Sequence, residues 1–229
     1  MNNMQWKGWA LAALIAGSSA MAAQTNTVTV RDLQTWSSVN LRYKVNKDLR
    51  LTLSEHVRLQ QNSMVMEQHF TQIKAKYDLP YGLNVGAGWR YINKYDVGDS
   101  LYEIRSRWHV DLGGTYEIGR WDIGARLRYQ SRADWGDPDA VTKDVARLKS
   151  SIRYNFRDWK WDPTFSAEWF RNQATGEWYK YRLTASIDHK LSKRSKLATY
   201  YRMEQELLGT YPMTTHVIGL KYYYTFKNK

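Results

Sequence analysis

The chain has 229 residues and a formal net charge of +12, with 34 Lys and Arg against 22 Asp and Glu and no cysteine. Mean hydropathy is −0.67, and no stretch is apolar enough for a membrane helix, which excludes a helical membrane protein but not a membrane β-barrel, whose signal per strand is weak. The lack of cysteine excludes disulfide staples and thiolate metal sites, while 11 Trp and 17 Tyr against 4 Pro suit long strands with aromatic ends.

Residues 1–22 read as a cleavable signal peptide. Lys7 supplies the positive flank, Trp9 to Ala16 (WALAALIA) a short apolar run, and Ala20-Met21-Ala22 the small residues of a cleavage site. The apolar run is too short to cross a membrane as a helix. The mature domain then covers 23–229. Residues 1–22 hold one Lys and no acid, so its formal charge is +11.

From residue 34 onwards apolar and polar residues alternate. The pattern predicts strands at 35–45, 49–59, 66–79, 83–93, 102–118, 121–132, 145–156, 161–171, 178–191, 195–206 and 215–226. Tight connections at 46–48, 80–82, 119–120, 157–160 and 192–194 alternate with longer polar loops at 60–65, 94–101, 133–144, 172–177 and 207–214. Short turns at one end and longer loops at the other describe an all-β, up-and-down antiparallel transmembrane β-barrel. Bacterial single-chain barrels have an even number of strands. A further short strand in Thr27 to Leu33 would restore parity, giving about 12 strands in a range of 10–12.

The segment WDIGARLRYQSR (121–132) shows what the faces want. Trp121, Ile123, Ala125, Leu127 and Tyr129 fall on one side of the strand; Asp122, Arg126, Arg128, Gln130 and Arg132 fall on the other. Gly119-Arg120 suits a two-residue type II′ turn with Gly first. That turn pairs Ile118 with Trp121, Tyr116 with Ile123, Leu112 with Leu127, Val110 with Tyr129 and Asp111 with Arg128. It leaves two like-charge misfits, Glu117 opposite Asp122 and Arg107 opposite Arg132, each needing a further partner.

Apolar residues occupy the same face of nearly every strand, with Tyr and Trp gathered towards the strand ends, as in the interfacial girdles of membrane barrels. Tyr179, Tyr181, Leu183, Ala185 and Ile187 are one such set. The last strand, HVIGLKYYYTF (216–226), resembles the aromatic C-terminal signal of outer-membrane barrels. The apolar face is therefore assigned to outer-membrane lipid and the charged face to the lumen.

Much of the mature chain, including WSSVNLRYKVNKDLRLTLSEHVRL (36–59), LNVGAGWRYI (83–92), YEIRSRWHVDL (102–112), YYRMEQEL (200–207) and YPMTTHVIGLKYYYTF (211–226), resembles a bacterial outer-membrane β-barrel family of unknown function, domain of unknown function 2490. The resemblance implies an outer-membrane barrel and names no substrate or catalytic residue. In general plan the chain is also similar to the small oligosaccharide porins that pass acidic sugars.

Basic residues dominate the predicted lumen: Arg42, Arg50, Arg90, Arg105, Arg107, Arg126, Arg128, Arg132, Arg153, Arg182 and Arg202, with Asp111, Glu168 and Glu204 as acidic partners. A cleft of one sign concentrates the opposite ion, and guanidinium holds carboxylate or phosphate through paired hydrogen bonds. The lumen is expected to pass small anionic solutes such as acidic sugars. The alternative is a barrel filled by its own ion pairs, with a structural or binding role, since twelve strands lie between the filled eight-stranded and the open sixteen-stranded barrel. An enzyme is a distant third. His56, His69, His109, His189 and His216 lack metal-ligand spacing, and neither Ser54 with His56 nor His109 with Asp111 makes a triad. No catalytic residue, metal site or cofactor is assigned. Inward-facing cations on alternate strand positions do not make an exposed nucleic-acid patch.

Overall fold

The computed structural model describes residues 30–96, 101–136, 140–156 and 161–227. The predicted signal peptide and the tight turn at 157–160 lie outside these residues. The described chain forms eleven strands: β1 (Val30–Lys44), β2 (Leu49–Gln60), β3 (Val65–Asp78), β4 (Leu83–Asp96), β5 (Leu101–Ile118), β6 (Trp121–Asp134), β7 (Lys143–Tyr154), β8 (Trp161–Asn172), β9 (Trp178–Lys190), β10 (Ser195–Glu206) and β11 (Met213–Lys227). Each strand pairs with its sequence neighbour, and β1 pairs with β11 to close the barrel. Even the shortest strands, at 12 residues, exceed the 9–11 or so that a tilted strand needs to cross a bilayer.

The closing pair corrects the expected twelfth strand. Val30 to Leu33 is not a separate element but the start of β1, which runs on to Lys44 without a turn; residues 27–29 lie outside the described residues. β1 and β11 run in the same direction, in continuous register from Val30 opposite Met213 to Lys44 opposite Lys227. The parity rule assumes that every pair is antiparallel. One parallel pair has slanted hydrogen bonds but a complete ladder, so eleven strands close without leaving an edge in lipid.

Turn chemistry sets the register. Gly119 has φ +62° and Arg120 is not in the left-handed region, as a type II′ turn requires. Every pair expected from that turn is present, from Ile118 opposite Trp121 to Arg107 opposite Arg132. In the turn between β1 and β2, Asn46 Oδ1 accepts from the backbone N–H of Asp48 at 2.9 Å and of Leu49 at 2.7 Å.

The faces divide as alternation predicts. Leu127 is 53% exposed on the outer wall, while its neighbour Arg128 is 6% exposed within. Aromatic groups stand at both ends of the outer wall: Trp89, Tyr91 and Trp135 contact one another near the loops, and Tyr154 contacts both Trp121 and Phe156 near the tight turns. One assignment is reversed. A bulge between Phe170 and Arg171 sets Phe170 opposite Lys180 and Arg171 opposite Trp178, so Tyr179 falls out of alternation. Tyr179 lines the interior, with its ring 6.2 Å from that of Phe170.

Candidate functional site

The barrel encloses a cavity of about 1130 Å³ whose lining reaches from Lys143 and Met213 at the loop end to Arg50 and Tyr223 near the tight turns. Twenty of its lining residues are Lys or Arg and five are Asp or Glu; Asp78, Glu103, Asp111 and Asp134 also pair with lining cations, and the bases remain in excess. Ten of the eleven predicted arginines line the cavity. The exception is Arg153, which faces inward but sits by the tight turns, with its Nε 3.4 Å from Asp122. Arg153 is thus the third-strand partner that the Glu117–Asp122 misfit called for, since β7 places it opposite Asp122.

The cations have three kinds of surroundings. In the first, they form a belt of ion pairs around the wall. Arg128 donates to Asp111 through Nε at 2.6 Å and Nη2 at 2.8 Å, and Lys74 reaches the same carboxylate at 3.0 Å. Glu168, only 4% exposed, accepts from Arg126 and Arg147 at 2.5 and 2.7 Å and from Arg182 at 3.1 Å. Arg182 continues to Glu204 at 2.6 Å, and Lys180 lies 3.5 Å from the same group. Successive strands bring these side chains together: Arg126, Lys149, Glu168, Arg182 and Glu204 are register neighbours from β6 to β10. Smaller pairs flank the belt, with Arg50 and Lys76 on Asp78 and Arg105 on Glu103 and Asp134.

In the second, cations lie against aromatic rings that point inward. Arg58 sits 3.6 Å from the centre of Trp36, and Arg42 lies 3.9 Å from that of Tyr223. Arg202 and Lys221 share Tyr200 at 4.8 and 4.5 Å. A guanidinium over an aromatic face is held by the ring quadrupole without losing its charge. Trp36, Tyr200 and Val217 form the one apolar cluster among the described buried residues. Its tightest fit is at Gly219, where a Cβ would come within 2.0 Å of the Tyr200 ring. The sequence reading missed Trp36, Phe70, Tyr200 and Tyr223 as interior residues, although each stands at an inward position of its strand.

In the third, Arg107, Arg132 and Lys149 have no carboxylate within ion-pair distance among the described residues, and Arg90 has no acid either: it donates to Gln72 at 2.7 Å and lies 4.7 Å from the centre of the Phe70 ring. The expected misfit between Arg107 and Arg132 therefore persists.

The Ser and His pairs considered as catalytic groups are not arranged as such. Ser54 donates to Asn40 at 2.8 Å. His56 stacks on Phe70 at 4.3 Å. His109 is 2% exposed, and its ring packs onto Gly88, where a Cβ would come within 2.5 Å of it. It is enclosed in the wall rather than lining the cavity. No group of three or more His, Cys, Asp or Glu that could hold a metal occurs among the described residues.

The fold and its charged interior define a closed β-barrel of the outer-membrane type with a basic lumen. The chain belongs to the family described as "Protein of unknown function (DUF2490)", whose model matches residues 33–209. No curated protein matches the sequence. Among solved structures, the chain is similar to the β domain of the Bordetella autotransporter BrkA, at 13% identity and TM-score 0.48, covering 77% of this chain and 81% of that one. It is also similar to OmpT of Vibrio cholerae, at 13% identity and TM-score 0.40 over 69% and 54% of the two chains. An anion-selective porin from Comamonas acidovorans matches at 13% identity and TM-score 0.37, over 75% and 55%.

Proposed function

We propose that this protein is a passive channel of the bacterial outer membrane for small anionic solutes, acidic sugars among them. The observation that carries this reading is the cavity whose lining runs from the loop end towards the tight turns with bases well in excess of acids. Such a wall raises the local concentration of anions and lowers that of cations. The apolar outer wall with its two aromatic rims suits a bilayer, and the outer membrane is the location that a signal peptide at 1–22 and a closed barrel together favour.

The test is planar-bilayer conductance of the refolded protein under a salt gradient. The expected reversal potential has the sign of anion preference. That preference weakens as salt rises, because the Debye length falls from about 10 Å at 0.1 M to about 3 Å at 1 M. Glucuronate added to one side should reduce the current. A cation-selective pore would overturn the reading. The ion-pair belt favours a second reading, a barrel filled by its own side chains, and a folded protein without conductance would support it.

A further inference from the structure

Arg90, Arg107 and Arg132 stand side by side on the inner wall. Arg90 on β4 is opposite Arg107 on β5, and Arg107 is opposite Arg132 on β6. Lys143, the first residue of β7, extends the row. Side chains directly opposed on neighbouring strands have Cβ atoms about 4.5–5.5 Å apart, and like charges there are destabilising. Among the described residues no carboxylate comes within ion-pair distance of any of the three arginines.

Their surroundings deepen the imbalance. The strongest charges acting on Arg107 are those of Arg58, Arg132 and Arg147. Those acting on Arg90 are Arg107, Arg58, Arg128 and Arg147. The acids that act on Arg132, Asp134 and Glu103, are both paired with Arg105. Arg107 Nε is buried without an acceptor. All three arginines line the cavity, about four residues towards the loops from the belt, or roughly 13 Å along the strand.

We propose that Arg90, Arg107 and Arg132 form a binding site for a phosphate-bearing solute, which supplies the counter-charge that the wall lacks. A phosphate group carries about −1.5 to −2 charges and three strong acceptor oxygens, so it can accept from guanidinium forks on two adjacent strands at once. A carboxylate brings one charge and two acceptor oxygens, so it offsets less of the charge of the row. The site rests on the channel reading for access to solute. It deepens that reading by naming phosphate esters and polyphosphates, ahead of uronates, as the anions held most tightly.

The experiment is calorimetric titration of the refolded full chain with inorganic pyrophosphate, inorganic phosphate and glucuronate at one ionic strength. Pyrophosphate is expected to bind most tightly and glucuronate least. Arg107→Gln and Arg132→Gln should each weaken pyrophosphate binding about tenfold, the loss of one charge-assisted contact. Lys193→Gln, in an exposed turn, should leave it unchanged. Should the arginine variants fail to refold, phenylglyoxal labelling of the wild type gives the same information: pyrophosphate should protect Arg90, Arg107 and Arg132 and leave Arg153 reactive. Absence of pyrophosphate binding, equal affinity for glucuronate, or binding indifferent to both arginines would overturn the site. A protein that binds pyrophosphate but passes no current would refute the channel and keep the site. One that conducts anions but does not bind pyrophosphate would refute the site alone.

Discussion

Glu168→Gln removes the anion on which three arginines converge while keeping the size of the side chain. Glu168 is 4% exposed, and its partners differ in how readily water can replace it: the Arg147 side chain is 8% exposed, Arg182 13% and Arg126 27%. The new amide oxygen can still accept from one guanidinium. Arg182 keeps Glu204, and Arg126 can turn towards water. Arg147 is left with no acid, only the neutral Gln130 at 3.0 Å and the ring of Phe170 at 4.5 Å. Breaking a buried ion pair by removing one partner costs about 3–5 kcal/mol, and the partial rescue places the expected loss near the lower end, about 3 kcal/mol. Asp122→Asn is the comparison. Its pair with Arg153 spans 3.4 Å, with both side chains about one-third exposed, so the loss should stay below about 1 kcal/mol. Urea unfolding in detergent or lipid vesicles, read by Trp fluorescence and by heat-modifiable mobility, measures both. Equal losses, or a loss under about 1 kcal/mol for Glu168→Gln, would show that water screens the belt as it screens a surface, and would refute the reasoning.

Leu127→Arg places a charge on the outer wall and should cost about 2–4 kcal/mol near the bilayer midplane, while Thr52→Ala on the cavity wall should stay within about 0.5 kcal/mol; the same unfolding assay separates them, and a reversed order would mean that the faces are exchanged. Gln130→Ala should cost about 1 kcal/mol in that assay, because Arg147 donates to Gln130. Gly219→Ala should cost about 1–3 kcal/mol through displacement of Tyr200, visible as a lowered unfolding midpoint with the strand content retained in circular dichroism.

Most of the barrel was legible because its rule is local. Alternation assigns a side chain to lipid or lumen from its own position, and Gly119 alone was enough to place fourteen pairs of β5 and β6 in register. Where a second strand decides, the sequence was less informative. Tyr179 alternates with its outward neighbours along β9, and only the bulge it forms against β8, where Phe170 and Arg171 pair with Lys180 and Trp178, turns it inward. The strand count depended on how β1 meets β11, a contact between residues at opposite ends of the chain. The inner aromatics stood in view at inward positions, but searching for charge alone passed over Trp36 and Phe70, the rings against which Arg58 lies.

The partners of the lumen cations were the least legible, because an arginine shows its face but not its neighbour across the strand. Arg126 and Arg132 lie on one face of β6, six residues apart, with nothing local to distinguish them. The register gives Arg126 a place near Glu168 and gives Arg132 a place beside Arg107. The same residue type therefore serves two opposed ends. In the belt, each guanidinium has a carboxylate in contact, and the pairs tie β5 through β10 into one charged framework. In the row above it, guanidinium is left uncompensated at an electrostatic cost to the fold. A barrel that needed only filling could have brought a carboxylate against each arginine, as Glu168 does for Arg126, Arg147 and Arg182. That three of the uncompensated guanidinium groups stand side by side on adjacent strands and line the cavity is what turns a basic lumen from a matter of composition into an argument for anions.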